Sequence, residues 1–297
     1  MYHQPALLHE CIEGLSINPS GIYADLTFGG GGHSREILSK LNADGRLIAF
    51  DQDEDALQNA IDDERFTLVT ENFRYLKNFL RLHKAFPLDG LLADLGISSY
   101  QIDTPERGFA TRFEGPLDMR MARSQGITAA QMVNTYPEEK LRSVFKLYGE
   151  ISNARQLANK ISETRTNPIT TTGELKEAIK SCMPSGYENK YLAQVFQAIR
   201  IEINDEMGAL QAMLKQCADV LKPGGRLVII SYHSLEDRLV KNYIKAGNLE
   251  GILEKDFYGN IIAPLKSITR KPITPSSSEI AGNPRSRSAK LRIAQKI

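Results

Sequence analysis

The apolar positions of this chain change period repeatedly, and each change predicts an element. Leu7, Leu8, Cys11, Ile12 and Leu15 recur at helical spacing and predict a helix that covers a sheet edge. Asn18-Pro19-Ser20-Gly21 is a turn. A short buried strand follows from Ile22 to Asp25, then the glycines Gly29 to Gly32, then helix-compatible residues from Ser34 to Leu41. Further strands are predicted at Arg46 to Phe50, Phe66 to Val69 and Leu88 to Leu95. The last is broken by Asp94, and an amphipathic helix with Leu76, Phe79 and Leu80 precedes it. Apolar strands separated by helices predict an α/β fold with a Rossmann-like parallel sheet covered on both faces. Such sheets bind ligands beyond the carboxyl ends of their strands, where Asp25, Asp51, Phe73 and Asp94 all fall.

After Asp94 the alternation stops. Gly96 to Gly126 is rich in Gly, Arg, Met and Pro and reads as a long functional loop. From Thr135 to about Met183 the pattern is helical, with Leu141, Val144, Phe145 and Tyr148 on one face. Thr171 and Glu174 make a capping box. A longer helix, or a pair, runs from Leu192 to Leu214, and its second half returns the chain to the sheet. A helix end, Pro223-Gly224-Gly225 and a fifth strand to Ser231 come next. Pro264 to Lys271 and Ser288 to Lys296 fit two antiparallel strands that finish the sheet. The expected organisation is a core of residues 1–104, a helical insertion of residues 105–206, and the remaining core with a basic tail, residues 207–297.

Composition narrows the class. The chain has 297 residues, 41% hydrophobic and 25% charged, enough for one or two globular domains. Its net charge of +1 leaves any argument for nucleic acid to the placement of charge. Cys11, Cys182 and Cys217 are scattered, which suits a reducing compartment without disulfides or structural zinc. No apolar run approaches membrane-span length and no signal pattern opens the chain. The expectation is a soluble cytoplasmic protein with no membrane partner and no metal.

The glycine turn aims bare N–H groups at a ligand with the positive end of a helix behind them. Read alone, it is equally a surface loop. Asp51 lies about twenty residues past the glycines, where such folds place an acid that grips ribose hydroxyls; its plainer reading is a helix cap before Ala56. The phosphate-loop spacing is absent, which argues against nucleotide hydrolysis. Ser34 stands where a dinucleotide fingerprint wants its third glycine, which argues against a nicotinamide-dependent oxidoreductase. S-adenosylmethionine has no pyrophosphate. It needs a clamp for its amino-acid end, an acid for its ribose and an apolar slot for adenine, and Gly29 to His33, Asp51 and Phe73 fit that list. A non-catalytic RNA-binding scaffold on the same fold is the remaining alternative.

Eight segments make a resemblance specific: HQPALLHECIEGL, DLTFGGGGHS, FDQDEDAL, DLGISSYQID, RGFATRFEGPLDMRM, FQAIRIEINDE, ISYHSLEDRLVK and NPRSRSAKLR. They run in order from His3 to Arg292, and the chain resembles the bacterial small-subunit ribosomal RNA cytosine-N4 methyltransferases, the MraW or RsmH family. It departs at Tyr232, where the family more often has Phe, and at Ala110, where Ser is usual. The resemblance implies a class I S-adenosylmethionine-dependent methyltransferase that methylates the exocyclic amine of a cytidine in the decoding region of 16S ribosomal RNA. It further implies cofactor contacts at Gly31, Gly32, His33, Asp51, Phe73, Asp94 and Gln101.

A cytosine amine is a poor nucleophile because its lone pair is donated into the ring. An acceptor for the amine N–H groups would help. Asp94 is the first candidate and His233, after the fifth strand, the second; His233 reads equally as a helix-start residue with a structural hydrogen bond. Most of the rate would come from in-line alignment, with the cytosine unstacked to reach its pocket. For substrate, Arg285, Arg287, Lys290 and Arg292 form a cluster suited to phosphates. Arg107, Arg112, Arg120 and Arg123 add charge to the long loop, and Phe109 and Phe113 could stack a base. The plainer readings are a solvated surface for the cations and the core of the insertion for the rings.

Overall fold

The computed structural model describes residues 5–297, so His3 and Gln4 of the first quoted segment lie outside the described residues. Helix α1 (Leu8–Leu15) buries Cys11, Gly14 and Leu15. Strand β1 (Ile22–Asp25) leads through the glycine turn into α2 (Gly32–Lys40), and β2 (Arg46–Phe50) follows. The acid-rich stretch after β2 forms a 3-10 turn, Glu54–Asn59, capped by Asp53 rather than by Asp51. Asp51 is thereby left with a different task. Strand β3 (Phe66–Val69), a 3-10 turn at Phe73–Tyr75, α3 (Leu76–Leu82) and β4 (Leu88–Asp94) complete this half.

The chain then enters a helical unit. The stretch from Gly96 to Gly126 is more ordered than its composition suggests. Ser98 and Gln101 close a capping box at the start of α4 (Ser99–Asp103), and a 3-10 turn, Pro105–Arg107, follows. Five helices succeed it: α5 (Ala129–Thr135), α6 (Glu138–Tyr148), α7 (Ala154–Thr164), α8 (Thr172–Ala178) and α9 (Glu188–Ile203). The Thr171–Glu174 box caps α8 as expected. Leu117, Met132, Leu141, Phe145, Leu157, Val195 and Ile199 share one buried core, against which Ile97 packs.

Helix α10 (Glu206–Val220) returns the chain to the sheet. The long helical pattern is therefore a pair, broken at Asn204 and Asp205, where Asp205 takes a φ of 46°. Strand β5 (Leu221–Ser231) begins before the Pro-Gly-Gly turn instead of after it. Leu221 pairs with Leu88 and Arg226 with Gly90, so the turn is a bulge within one strand. Gly224 adopts a φ of 82°, a conformation glycine tolerates. Then come α11 (Ser234–Ala246), β6 (Leu265–Ser267), α12 (Ser277–Gly282) and β7 (Lys290–Lys296).

Among the described residues seven strands form one sheet in the order β3-β2-β1-β4-β5-β7-β6. The first five are parallel, and β7 runs antiparallel to β5 and β6. This is a Rossmann-like α/β sheet. Leu47, Ile48, Ala49 and Phe50 are fully buried, the pattern of a strand covered on both faces. The chain winds outward from β1 to β3, then crosses back to β4, so β1 and β4 flank the topological switch point.

Two compact units result. One joins the residues before Ile97 to Met207–Ile297; the other is Ile97–Glu206. The first division falls at Gly96 rather than at residue 104, because the 97–104 segment starts α4 and Ile97 joins the helical core.

Candidate active site

At the carboxyl ends of β1 and β4 the backbone is stitched by side chains. Asp25 ends β1 and is buried. It accepts the Ser34 hydroxyl at 2.6 Å and the Thr27 N–H at 3.1 Å, tying the strand tip to the first turn of α2. The Thr27 hydroxyl accepts the Asp94 N–H at 2.7 Å. Gly31, with a φ of 75°, precedes α2 and makes no side-chain cap, so the leading N–H groups of the helix are not taken by a cap. A Cβ at Gly30 would meet no atom within 4 Å, which leaves open space over the turn. At Gly31 and Gly32 a Cβ would strike Arg35 and Phe28, or Pro5, so both positions require glycine for close packing.

Asp51 follows β2. Its Oδ2 accepts the Gly29 N–H at 2.7 Å and its Oδ1 the Asp53 N–H at 2.8 Å. Burial pushes its carboxyl up to about 6, against the downward pull of those two bonds. A carboxylate offers about four acceptor sites, so a diol can still be gripped there. On the neighbouring tip, Asn72 Nδ2 donates to Gln52 Oε1 at 2.7 Å and fixes the turn that carries Phe73. The Phe73 ring is half-buried.

Asp94 closes β4. Its Oδ1 accepts the Tyr232 hydroxyl at 2.8 Å, and its Oδ2 lies 3.9 Å from His33 Nδ1. The other ring nitrogen of His33 meets the Ala6 carbonyl at 3.2 Å, which fixes the buried imidazole. Burial raises the Asp94 carboxyl to about 6, opposed by His33 and by the Tyr232 bond and reinforced by Asp25 and Glu236. Asp25, Asp51 and Asp94 thus place three carboxylates at adjacent tips. That field suits a cation, the uncapped helix end suits a carboxylate, and the Phe73 ring suits a flat heterocycle. A positively charged amino-acid nucleoside fits this donor set.

His33, Asp51, Phe73 and Asp94 therefore lie with the glycine turn at the carboxyl end of the sheet. Gln101 belongs to the helical unit, where it is buried and closes the α4 cap: its Oε1 accepts the Ser98 N–H at 3.0 Å. His233 caps α11, with Nδ1 accepting the Glu236 N–H at 3.4 Å while Glu236 accepts the Tyr232 N–H at 2.9 Å. The basic residues divide. Arg292 donates to Asp237 at 2.7 Å and Lys290 lies 3.7 Å from the same carboxylate, so half the tail cluster is neutralised within the sheet unit. Arg285 and Arg287 sit on a 3-10 turn, Pro284–Ser288, where Arg287 is exposed. Arg120 forks onto Asp118 at 2.8 and 2.9 Å, and Arg112 pairs with Asp103. Arg107 is buried and donates to the Arg120 and Met121 carbonyls, and Phe109 is in the core. Both are structural members of the helical unit. Phe113 lies half-buried under the Arg112 guanidinium, 4.6 Å from ring to cation.

Sequence reasoning missed Ser34, Thr27 and Tyr232 as parts of this site. Ser34 stands at the position of an absent glycine, and that vacancy in the motif is the one signal that marked it. Tyr232 was marked only as a departure from the family's usual Phe, and nothing in the sequence pointed to its partner Asp94, 138 residues away.

The whole chain, residues 1–297, matches the MraW methylase family. A ribosomal RNA small subunit methyltransferase H from Flavobacterium johnsoniae is 58% identical over 297 residues, covering 100% of this chain and 98% of the relative. Its counterpart from Bacteroides thetaiotaomicron is 56% identical over 296 residues, covering 99% and 97%. Among solved structures, a putative rRNA-methylase from Clostridium thermocellum aligns over 100% of both chains with a TM-score of 0.47 and 11% identity. A putative methyltransferase from Streptococcus mutans in complex with SAH aligns over 98% and 95%, with a TM-score of 0.38 and 13% identity. The fold assignment rests on the strand order described above, and the sequence matches settle the lineage: this chain belongs to the MraW methylase family of methyltransferases.

Proposed function

We propose that this protein transfers a methyl group from S-adenosylmethionine to the N4 amine of one cytidine in the decoding region of 16S ribosomal RNA. The observation that carries the reading is the meeting of Asp25, Asp51 and Asp94 with an uncapped helix end at the switch point of the sheet. The substrate class follows the names of the relatives, which are ribosomal RNA small subunit methyltransferases.

In this reading the turn at Gly31, Gly32 and His33 holds the amino-acid end of the cofactor, Asp51 its ribose and Phe73 its adenine. The cofactor supplies an electrophilic methyl group on a positively charged sulfur. Asp94 accepts a hydrogen bond from the cytosine amine, turns its lone pair out of the ring and takes the proton that leaves nitrogen. A carboxyl raised to about 6 is a stronger base than an ordinary one and is still ionised at neutral pH. Asp94 is preferred to His233 because the Nδ1 of His233 is engaged in capping α11. Arg285, Arg287, Lys290 and Arg120 are assigned to RNA phosphates; Arg287 is exposed, while Asp237 and Asp118 partly meet the charges of Lys290 and Arg120. No helix among the described residues is long and apolar enough to cross a membrane, and the reading has the protein act in the cytoplasm, where its ribosomal RNA substrate would be met.

The test is mass spectrometry of 16S RNA from cells with and without the protein. Loss of one N4-methyl group on one cytidine is expected. An unchanged methylation map would overturn the assignment.

A further inference from the structure

The hydroxyl of Tyr232 is 2.8 Å from Asp94 Oδ1 and can only donate in that bond to an ionised carboxylate. Three further contacts hold the two residues in register. The Tyr232 N–H donates to Glu236 Oε2 at 2.9 Å. The ring lies beside Gly96, where a Cβ would stand 3.6 Å from Tyr232 Cδ2. The Asp94 N–H is held by the Thr27 hydroxyl at 2.7 Å. The carboxylate is thus anchored through its backbone and through one oxygen. Oδ2, 3.9 Å from His33 Nδ1, is the oxygen left for an incoming N–H.

We infer that Tyr232 is a positioning residue for methyl transfer: its hydroxyl fixes Asp94 Oδ1, so that Oδ2 presents a fixed edge to the substrate amine. The inference rests on the reading of Asp94 as the acceptor. It gives Tyr232 a task that its place in the chain does not suggest. A hydrogen bond given to a carboxylate favours its ionised form, so the same bond keeps Asp94 in the accepting state under conditions where burial would protonate it. The other groups that face Asp94 are His33 on α2, Asp25 on β1, Glu236 on α11 and Cys11 on α1. His33 pulls the carboxyl down, and Asp25 and Glu236 push it up. Burial raises the Cys11 thiol, which stays neutral. Burial and Asp94 also raise the Tyr232 phenol, so it remains a donor throughout the working range.

The experiment compares the natural chain with Tyr232→Phe and Asp94→Asn. The first readout is the carboxyl carbon-13 titration of the protein labelled at aspartate, with the Asp94 resonance assigned by its absence from Asp94→Asn. The second is the pH dependence of kcat/KM for methyl transfer to small-subunit RNA. In Tyr232→Phe the Asp94 midpoint should rise by about half to one pH unit, the size expected for one lost hydrogen bond to a carboxylate. The acid limb of the rate profile should move with it, and the alkaline plateau should stay below that of the natural chain, because Oδ2 is no longer held in place. An Asp94 midpoint that stays put in Tyr232→Phe overturns the inference. A midpoint that moves while the acid limb does not overturns the acceptor role of Asp94, and the positioning role with it. The titration reads the bond even if methylation fails, so an error in the proposed substrate is told apart from an error about Tyr232.

Discussion

Gly29 and Asp51 are 22 residues apart in sequence, and the N–H of the first donates to the carboxylate of the second at 2.7 Å. The acid assigned to the ribose is thus also the strut that holds the glycine turn in place.

Asp51→Ala should therefore weaken cofactor binding twice over, through the lost ribose contact and through the loosened turn. A hydrogen bond to a charged group is worth about 1.5–3 kcal/mol, so affinity should fall by roughly one to two orders of magnitude. Isothermal titration with S-adenosylmethionine checks this. An affinity within about twofold of the natural chain would mean that cofactor binding depends on Asp51 neither through a ribose contact nor through the turn.

Asp94→Asn should abolish methyl transfer and stabilise the protein at neutral pH. The sign follows from linkage. The folded carboxyl is raised by burial from 3.8 to about 6. Between those values the folded state binds more protons than the unfolded one, so stability falls as pH rises through the interval. Above it, the ionised group costs about 1–3 kcal/mol. The asparagine removes that cost, and its carbonyl can still accept the Tyr232 hydroxyl. Calorimetry should show a melting temperature raised by a few degrees at pH 7.5 and no gain near pH 4. A loss of stability at pH 7.5 would contradict the stored cost.

Ser34→Ala should destabilise the sheet unit. It removes the 2.6 Å bond to a buried carboxylate and leaves Asp25 with the Thr27 contacts. The cost should be about 1–3 kcal/mol, read by urea denaturation, together with weaker cofactor binding because the start of α2 is released. An unchanged midpoint would show that Asp25 finds another donor.

Arg287→Ala should raise the KM for RNA while cofactor affinity and melting temperature hold, because Arg287 is exposed on its 3-10 turn. Loss of one phosphate contact should lower the slope of log affinity against log salt by about 0.7–0.9. Arg292→Ala should behave differently. Its guanidinium is largely buried on Asp237, so stability should fall as well. If Arg287→Ala lost cofactor binding instead, the tail would have to be a structural part of the pocket.

What could be read from the chain followed local rules. The strands at Ile22, Arg46 and Leu88 announce themselves because a strand buried on both faces must be apolar along its length; the edge strand at Phe66 is mostly half-buried and shows as a short apolar and β-branched run. The Thr171–Glu174 box is a four-residue pattern and survives intact. The positions of Asp51 and Asp94 at strand ends were visible for the same reason. Where the structure differed, a non-local contact decided. The segment after Gly96 has a loop-like composition, yet Ile97 packs on the helical core and Arg107 finds its partners at Arg120 and Met121. The basic tail reads as free charge until Asp237, some fifty residues earlier in the chain, turns out to meet Lys290 and Arg292.

By itself the sequence determined the alternation of strands and helices, the glycine turn and the acids at the strand tips, because backbone conformation and burial pattern are set by near neighbours. Only the tertiary structure decided what each acid does. Asp25 braces a helix, Asp51 holds a turn and Asp94 is held by Tyr232, since a hydrogen bond depends on ångström distances between residues that the chain keeps far apart and only the folded sheet brings together.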